Sequence, residues 1–186
     1  ETESLVDMAA DSLKGIENPF IVEIGTGTGA ISIACAKEIK GAHVLATDIS
    51  EDALALARTN AEANGLGDSS GADADDAGAS AGSLRPSSVQ AATSAGTLQF
   101  AQGDLLNAVT AEVLSKVAGD ASAKIDCLIA NLPYIPDGEK DKLQPEVAKY
   151  DPALALFGGA DGLDLVRKLL QQTEGRLKSG ASILLE

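Results

Sequence analysis

The chain has 186 residues and is 45% hydrophobic but only 3% aromatic, so one domain with a core of Ala, Val, Ile and Leu is expected. Its formal net charge of -14 repels phosphate backbones and argues against duplex DNA or long RNA as a partner, though not against a protein loop that presents one side chain. No apolar run approaches the ~20 residues of a membrane span, and no signal-peptide pattern is present. A single histidine (His43) and two separated cysteines, Cys35 and Cys127, argue against a zinc site; no metal is expected, and both thiols read as buried and free.

In chain order, "FIVEIG" reads as a buried strand and "AISIACAKEIK" as the helix after it. "AHVLATD" is a second strand. "SEDALALARTNAEANG" is a helix, with Ser50 placed to cap it, Glu51 and Asp52 in its first turn and Gly65 just past its end. Residues 66–95, largely Gly, Ala, Ser and Asp, lack the apolar periodicity that would offset their ordering entropy and read as a disordered insertion. "TLQFAQGD" is a third strand, "LLNAVTAEVLSKV" a short helix and "KIDCLIAN" a fourth strand. "GLDLVRKLLQQTEGRLKSG" reads as a helix, and "ASILLE" begins a fifth strand. This alternation predicts a mostly parallel sheet with helices on both faces. The chain starts without Met and stops inside an expected strand, so it reads as a piece of a longer protein.

Three strand ends carry the candidate chemistry. In "EIGTGTGA", Glu23 to Ala30, glycines allow a tight turn and bring backbone N–H groups close to a ligand at a helix N-terminus. Gly25, Gly27 and Ala30 also satisfy the looser dinucleotide fingerprint, so the loop alone leaves NAD and S-adenosylmethionine both open. Asp48 closes the second strand, where a carboxylate accepts bonds from ribose hydroxyls. Asp104, ending the third strand, either bonds an adenine amino group, with Leu105 against the ring, or caps the short helix that follows. The fourth strand runs into "ANLPYIPD", leaving the ladder at Pro133 because proline has no N–H to give.

"EIGTGTGAISIA", "ATDIS" and "NLPYI", in this order, resemble a class I S-adenosylmethionine-dependent methyltransferase. With "ETESLV" at the start and "LQPEVAKYDPALALFGGADGLDLVRKLL" from Leu143 to Leu170, the chain resembles the release-factor glutamine methyltransferase family. The resemblance implies a Rossmann-like sheet whose last strands are truncated here, with the family's N-terminal helical domain also absent. It implies methyl transfer from S-adenosylmethionine to the amide nitrogen of a glutamine in a Gly-Gly-Gln motif of a peptide chain release factor, leaving S-adenosylhomocysteine. It places the cofactor on Glu23, Gly25, Thr26, Gly27, Thr28, Gly29, Asp48, Ile49, Asp104, Leu105 and Asn131. Asn131 and Tyr134 become the catalytic pair. The Asn131 side-chain oxygen and the Leu132 carbonyl would accept the amide N–H groups, Tyr134 would lie on the amide plane, and Pro133 would hold the bend.

Two positions depart from the family's pattern. Leu132 stands where the family has the first proline of Asn-Pro-Pro-Tyr, which removes a fixed φ and predicts a looser loop. Asp151 stands where the family has Glu. An adenine N6-methyltransferase acting on DNA or RNA, and a catalytically silent cofactor-binding module, are the alternative readings. A monomer in the cytosol is expected, with a mitochondrion or another organelle as the alternative compartment.

Overall fold

A computed structural model describes residues 2–66, 96–142 and 156–186. The insertion expected after Leu66 and the position of Asp151 lie outside the described residues. In chain order the elements are α1 (Thr2–Ser12), β1 (Phe20–Ile24), α2 (Ala30–Glu38), β2 (His43–Asp48), α3 (Glu51–Ala63) and β3 (Thr97–Gln102). They continue with a 3-10 turn (Leu105–Ala108), α4 (Ala111–Ala118), β4 (Ile125–Ala130), a second 3-10 turn (Asp137–Lys142), α5 (Asp164–Gln172) and β5 (Leu177–Leu185).

The five strands form one sheet in the order β3-β2-β1-β4-β5, and every pairing is parallel. β1 and β4 are buried at every position, which is why their sequences are apolar apart from one buried carboxylate each, Glu23 and Asp126, rather than alternating. Alternate residues feed two cores. Ile21, Val44, Cys127 and Ile129 join α1 and α2 on one face, while Val22, Leu45 and Leu128 join Leu106, Val117 and Leu169 on the other. A fully buried residue such as Ile129 or Leu128 contributes about 1.5–3 kcal/mol through removal from water. Both cysteines are free and fully buried, and burial pushes their thiols up to about 12 for Cys35 and about 11 for Cys127.

The sheet order reverses between β1 and β4. From β1 the chain winds outward to β2 and β3, then returns to place β4 on β1's other side. Crevices at such a reversal, beyond the carboxyl ends of the strands, are where open α/β sheets hold ligands. Ile24 pairs with Ala130, so the glycine loop and Asn131 leave the sheet side by side.

The N-terminal segment, for which no element is expected from the sequence, forms α1, which packs on α2 and buries Leu5, Val6 and Ala9. Two element boundaries differ from expectation. The expected helix over 105–117 is broken at Val109. Thr110 then starts α4, its hydroxyl accepting from Val113 N at 3.3 Å. The expected helix over 162–180 stops at Gln172, and β5 begins at Leu177. The register slips between Ile125–Leu177 and Cys127–Ser182, so Lys178, Ser179 and Gly180 sit in an irregularity that breaks the period-two pattern. Lys178 turns back to pair with Asp126 Oδ2 at 2.7 Å. Among the described residues no helix is long and apolar enough to cross a membrane.

Candidate active site

Gly25, Gly27 and Gly29 all adopt left-handed backbone conformations, with φ of 72°, 55° and 80°. This path lets Gly25 N and Thr26 N both donate to Thr47 O, at 2.8 and 3.0 Å, binding the loop to the end of β2. Gly29 is also a close approach: a Cβ there would lie 3.0 Å from Ala57 Cβ, so the helices α2 and α3 meet over it. Asn60 on α3 donates to Thr28 O at 2.9 Å and holds the loop from outside. α2 then opens on Gly29 with no side-chain cap.

Between this loop and Asn131 lies a cavity of about 200 Å3, lined by Glu23, Gly25, Thr26, Gly27, Thr28, Ala30, Ile31 and Asn131. A larger hollow of about 360 Å3 opens at the other end of the sheet, by Ile125 and Arg176, away from every candidate residue. Glu23 is only 2% exposed and sits at the loop cavity's inner wall. Its Oε2 accepts from Thr26 Oγ1 at 2.6 Å and from Ser32 N at 3.1 Å. Burial raises its carboxyl from the ordinary 4.5 to about 7. The Thr26 and Ser32 hydrogen bonds oppose that rise, and the nearby Asp48 adds to it. No lysine or arginine among the described residues pairs with it, so a positive charge entering the cavity would favour its ionised form.

Asp48, half-buried at the end of β2, splits its carboxylate between two loops. Oδ2 accepts from Gly27 N and Oδ1 from Ser50 N, both at 2.9 Å. The α3 cap belongs to Ser50, which accepts from Ala53 N at 3.3 Å, so Asp48 is not spent on it. Each Asp48 oxygen keeps a second lone pair for a ligand hydroxyl. Ile49, the next residue, is 57% exposed and offers an apolar surface at the rim.

Asp104 does not cap the turn after β3: its side chain makes no capping bond and instead pairs with Lys168 on α5. Leu105 has a left-handed φ of 53° although it is not glycine, and its side chain is buried with Leu106 and Val109. Such a conformation costs about 1–2 kcal/mol and persists only where its surroundings enforce it. Here Leu106 N donates to Gln172 Oε1 at 2.9 Å, and Arg176 Nη1 donates to Leu106 O at 2.8 Å, clasping the turn from the far side.

The loop after β4 divides its side chains. Asn131 is exposed beside the cavity, Leu132 is buried at 5% exposure, and Tyr134 is 60% exposed. Leu132 belongs to the second core, and its Cδ2 lies 3.7 Å from where a Cβ on Gly25 would stand. The side chain in the proline's place therefore anchors the loop beneath the glycine turn. Beyond Tyr134 the loop pairs with the segment 156–162, through Ile135 N to Leu156 O and Gly158 N to Ile135 O, both at 3.0 Å.

The structure thus gathers the glycine loop, Glu23, Asp48 and Asn131 around one crevice, with Ile49, Asp104 and Leu105 at neighbouring strand ends. Sequence reading missed the supports: Ser32, Thr47, Asn60, Lys168 and the 156–162 turn. Only the glycines of "FGGADG" carried a local signal, marking a tight backbone path without showing what lay against it.

Residues 21–119 match the family model described as a methyltransferase domain. Over 186 residues the chain is 32% identical to a release factor glutamine methyltransferase of Deinococcus radiodurans, covering all of this chain and 51% of the relative. A protein of the same name from Synechocystis is 35% identical over 165 residues, 89% of this chain and 43% of the relative. The chain spans about half the length of the curated relatives it matches. Among solved structures, the catalytic domain of hMettl16 superposes with a TM-score of 0.54 at 14% identity, over 95% of this chain and 53% of that one. The ribosomal protein L11 methylase of Lactobacillus delbrueckii gives 0.51 at 18% identity, over 99% and 58%. With just over half of its length matched by that family model, and its sheet shared with these solved folds, the chain belongs to the methyltransferase domain family.

Proposed function

We propose that this chain transfers a methyl group from S-adenosylmethionine to the side-chain amide nitrogen of a glutamine, in the Gly-Gly-Gln motif of a peptide chain release factor. The observation that carries the reading is that Asn131 lines the same cavity as the glycine loop, at the point where the sheet order reverses. Its chain-long similarity to release factor glutamine methyltransferases supplies the substrate class.

The residues in and beside the cavity have the chemistry this cofactor needs. Glu23 offers a buried carboxyl without a paired side-chain cation, which a cationic ligand would ionise, Asp48 offers acceptors for a ribose, and Ile49 offers an apolar surface for a flat ring. S-adenosylmethionine, when bound, supplies a methyl group made electrophilic by its sulfonium. The rest is positioning. An amide nitrogen is a weak nucleophile because its lone pair is delocalised into the carbonyl. Two acceptors, the Asn131 side-chain oxygen and the Leu132 carbonyl, would grip its N–H groups, turn the lone pair toward the methyl carbon and favour charge building on nitrogen. Tyr134, exposed beside them, would cover the amide plane. The net charge of -14 favours a protein acceptor over a nucleic acid.

The test is methyl transfer to a release factor carrying the Gly-Gly-Gln motif, read by mass spectrometry. Methylation of that glutamine is expected, with Asn131→Ala lowering the rate by about 100-fold or more, the scale seen when one transition-state hydrogen bond is removed. Methyl incorporation into nucleic acid, or binding of NAD in place of S-adenosylmethionine by calorimetry, would refute the reading.

A further inference from the structure

Tyr134 is mostly exposed and Pro133 has no N–H, so neither residue fixes the acceptor loop by its own side chain or by an ordinary ladder bond. The backbone is held from the other side. Ile135 N donates to Leu156 O at 3.0 Å, Gly158 N to Ile135 O at 3.0 Å, and Asp137 N to Gly159 O at 2.9 Å. Two of the turn's three glycines, Gly158 and Gly162, face the loop's carbonyls. A Cβ on Gly158 would stand 2.4 Å from Pro133 O and equally from Gly162 O within the turn, and a Cβ on Gly162, whose φ is 81°, would stand 2.1 Å from Tyr134 O.

The turn is itself fixed. Asp164 N, at the start of α5, donates to Gly158 O at 2.9 Å. Arg167 grips Asp161 with both terminal nitrogens, at 2.8 and 2.5 Å, and Asp161 Oδ1 also accepts from Leu163 N at 3.1 Å. These contacts hold the Asp161 carboxyl down at about 2, so the clasp stays charged at any ordinary pH. α5 is in turn seated by Leu169, which is fully buried. The acceptor loop is therefore registered against a seated helix through a turn with no room for a side chain at Gly158 or Gly162.

We propose that the 156–162 turn sets the acceptor loop for methyl transfer, with Gly158 and Gly162 as its positioning residues: their bare Cα atoms seat the Pro133 and Tyr134 carbonyls. The proposal rests on the reading of Asn131, Leu132 and Tyr134 as the amide-gripping residues. A Cβ essentially never approaches another heavy atom within 3.0 Å, so Gly162→Ala displaces the Tyr134 carbonyl by on the order of 1 Å. A misplacement of about 1 Å costs about 100-fold in rate when the chemistry depends on alignment. Neither glycine lines the cavity between Glu23 and Asn131.

The test compares Gly158→Ala, Gly162→Ala and Gly119→Ala. Gly119 has φ of 72° with nothing within 4 Å of an added Cβ, so its variant carries the left-handed strain of Gly162→Ala without the clash. Gly158 needs no left-handed backbone, so its variant carries the clash without the strain. Both Gly158→Ala and Gly162→Ala should lower kcat for the release-factor glutamine about 100-fold while S-adenosylmethionine affinity stays within about threefold. Gly119→Ala should change neither. A second readout is independent of the acceptor. The chain has two tyrosines and no tryptophan, so in a Tyr150→Phe background Tyr134 is the only strong fluorophore, and its anisotropy should fall in the two clashing variants alone. Unchanged anisotropy in both, or cofactor binding lost in step with transfer, would overturn the proposal. A wild-type chain that methylates no release factor but shows the anisotropy pattern would defeat the proposed function and leave the positioning role standing.

Discussion

Glu23→Gln isolates the one carboxyl that, among the described residues, is buried without a paired cation. The native carboxyl titrates at about 7 against an ordinary 4.5, because burial penalises the anion more than Thr26 and Ser32 relieve it. The folded state therefore holds a proton that the unfolded chain has released over this window. Stability contributed at low pH is lost as pH rises from about 4.5 to about 7, and is constant above that. At about 1.36 kcal/mol per pH unit, the loss between pH 4 and pH 8 is about 3 kcal/mol. The glutamine amide matches the protonated carboxyl in shape. Its oxygen can accept from Thr26 Oγ1 and Ser32 N as Oε2 does, so the variant keeps the contacts and removes the titration. Urea unfolding at pH 4 to 8 measures this. The stability of Glu23→Gln relative to wild type should rise by about 3 kcal/mol across the range, moving its midpoint by about 1.5 M if the urea slope is about 2 kcal/mol/M. Parallel stability curves for the two proteins would refute the reasoning, since the titration would then belong elsewhere.

Two further substitutions probe neighbouring supports. Leu132→Ala empties a buried site against Gly25, and urea unfolding should show a loss of about 2–4 kcal/mol; a loss below about 1 kcal/mol would mean that the side chain anchors nothing. Asp48→Asn keeps the shape but leaves one acceptor for two N–H groups, those of Gly27 and Ser50, so S-adenosylmethionine binding by calorimetry should weaken about 10–100-fold, and an affinity within about twofold would contradict Asp48's place in the site.

What could be read from the sequence was whatever repeats or stands in local order. β1 and β4 were legible because burial on both faces demands a mostly apolar run, and α3 because Ser50 and Gly65 bracket an apolar stripe. The start of β5 was not legible, since Lys178 and Gly180 interrupt its pattern for reasons that lie in the partner strand: Asp126 draws Lys178 inward, and the slip in register absorbs the rest. The site divides in the same way. The glycine loop and Asp48 stand at strand ends that the alternation already located. That Asp104 spends its charge on Lys168, or that Asn60 holds Thr28 O, depends on residues 64 and 32 positions apart in the chain, which no local pattern brings together.

Leu132 shows how a departure from a family's pattern can keep a geometry by other means. A proline restrains a loop through its own ring, fixing φ and narrowing the choices of the residue before it. That restraint is local and independent of the rest of the fold. In this chain the restraint is tertiary: the leucine side chain is 5% exposed, sits in the core with Ile24 and Ala130, and abuts the glycine turn through Gly25. At about 1.5–3 kcal/mol for burying a leucine, the packing anchor is comparable to or larger than the 0.4–1 kcal/mol or so typically gained from a compatible proline. The looser loop expected from the missing ring is thus countered by packing. The consequence is a coupling that a proline would not create. Because Leu132 rests on Gly25, a change in the cofactor-side turn alters the seat of the residue whose carbonyl is proposed to grip the acceptor, so the two halves of the site share one wedge of core.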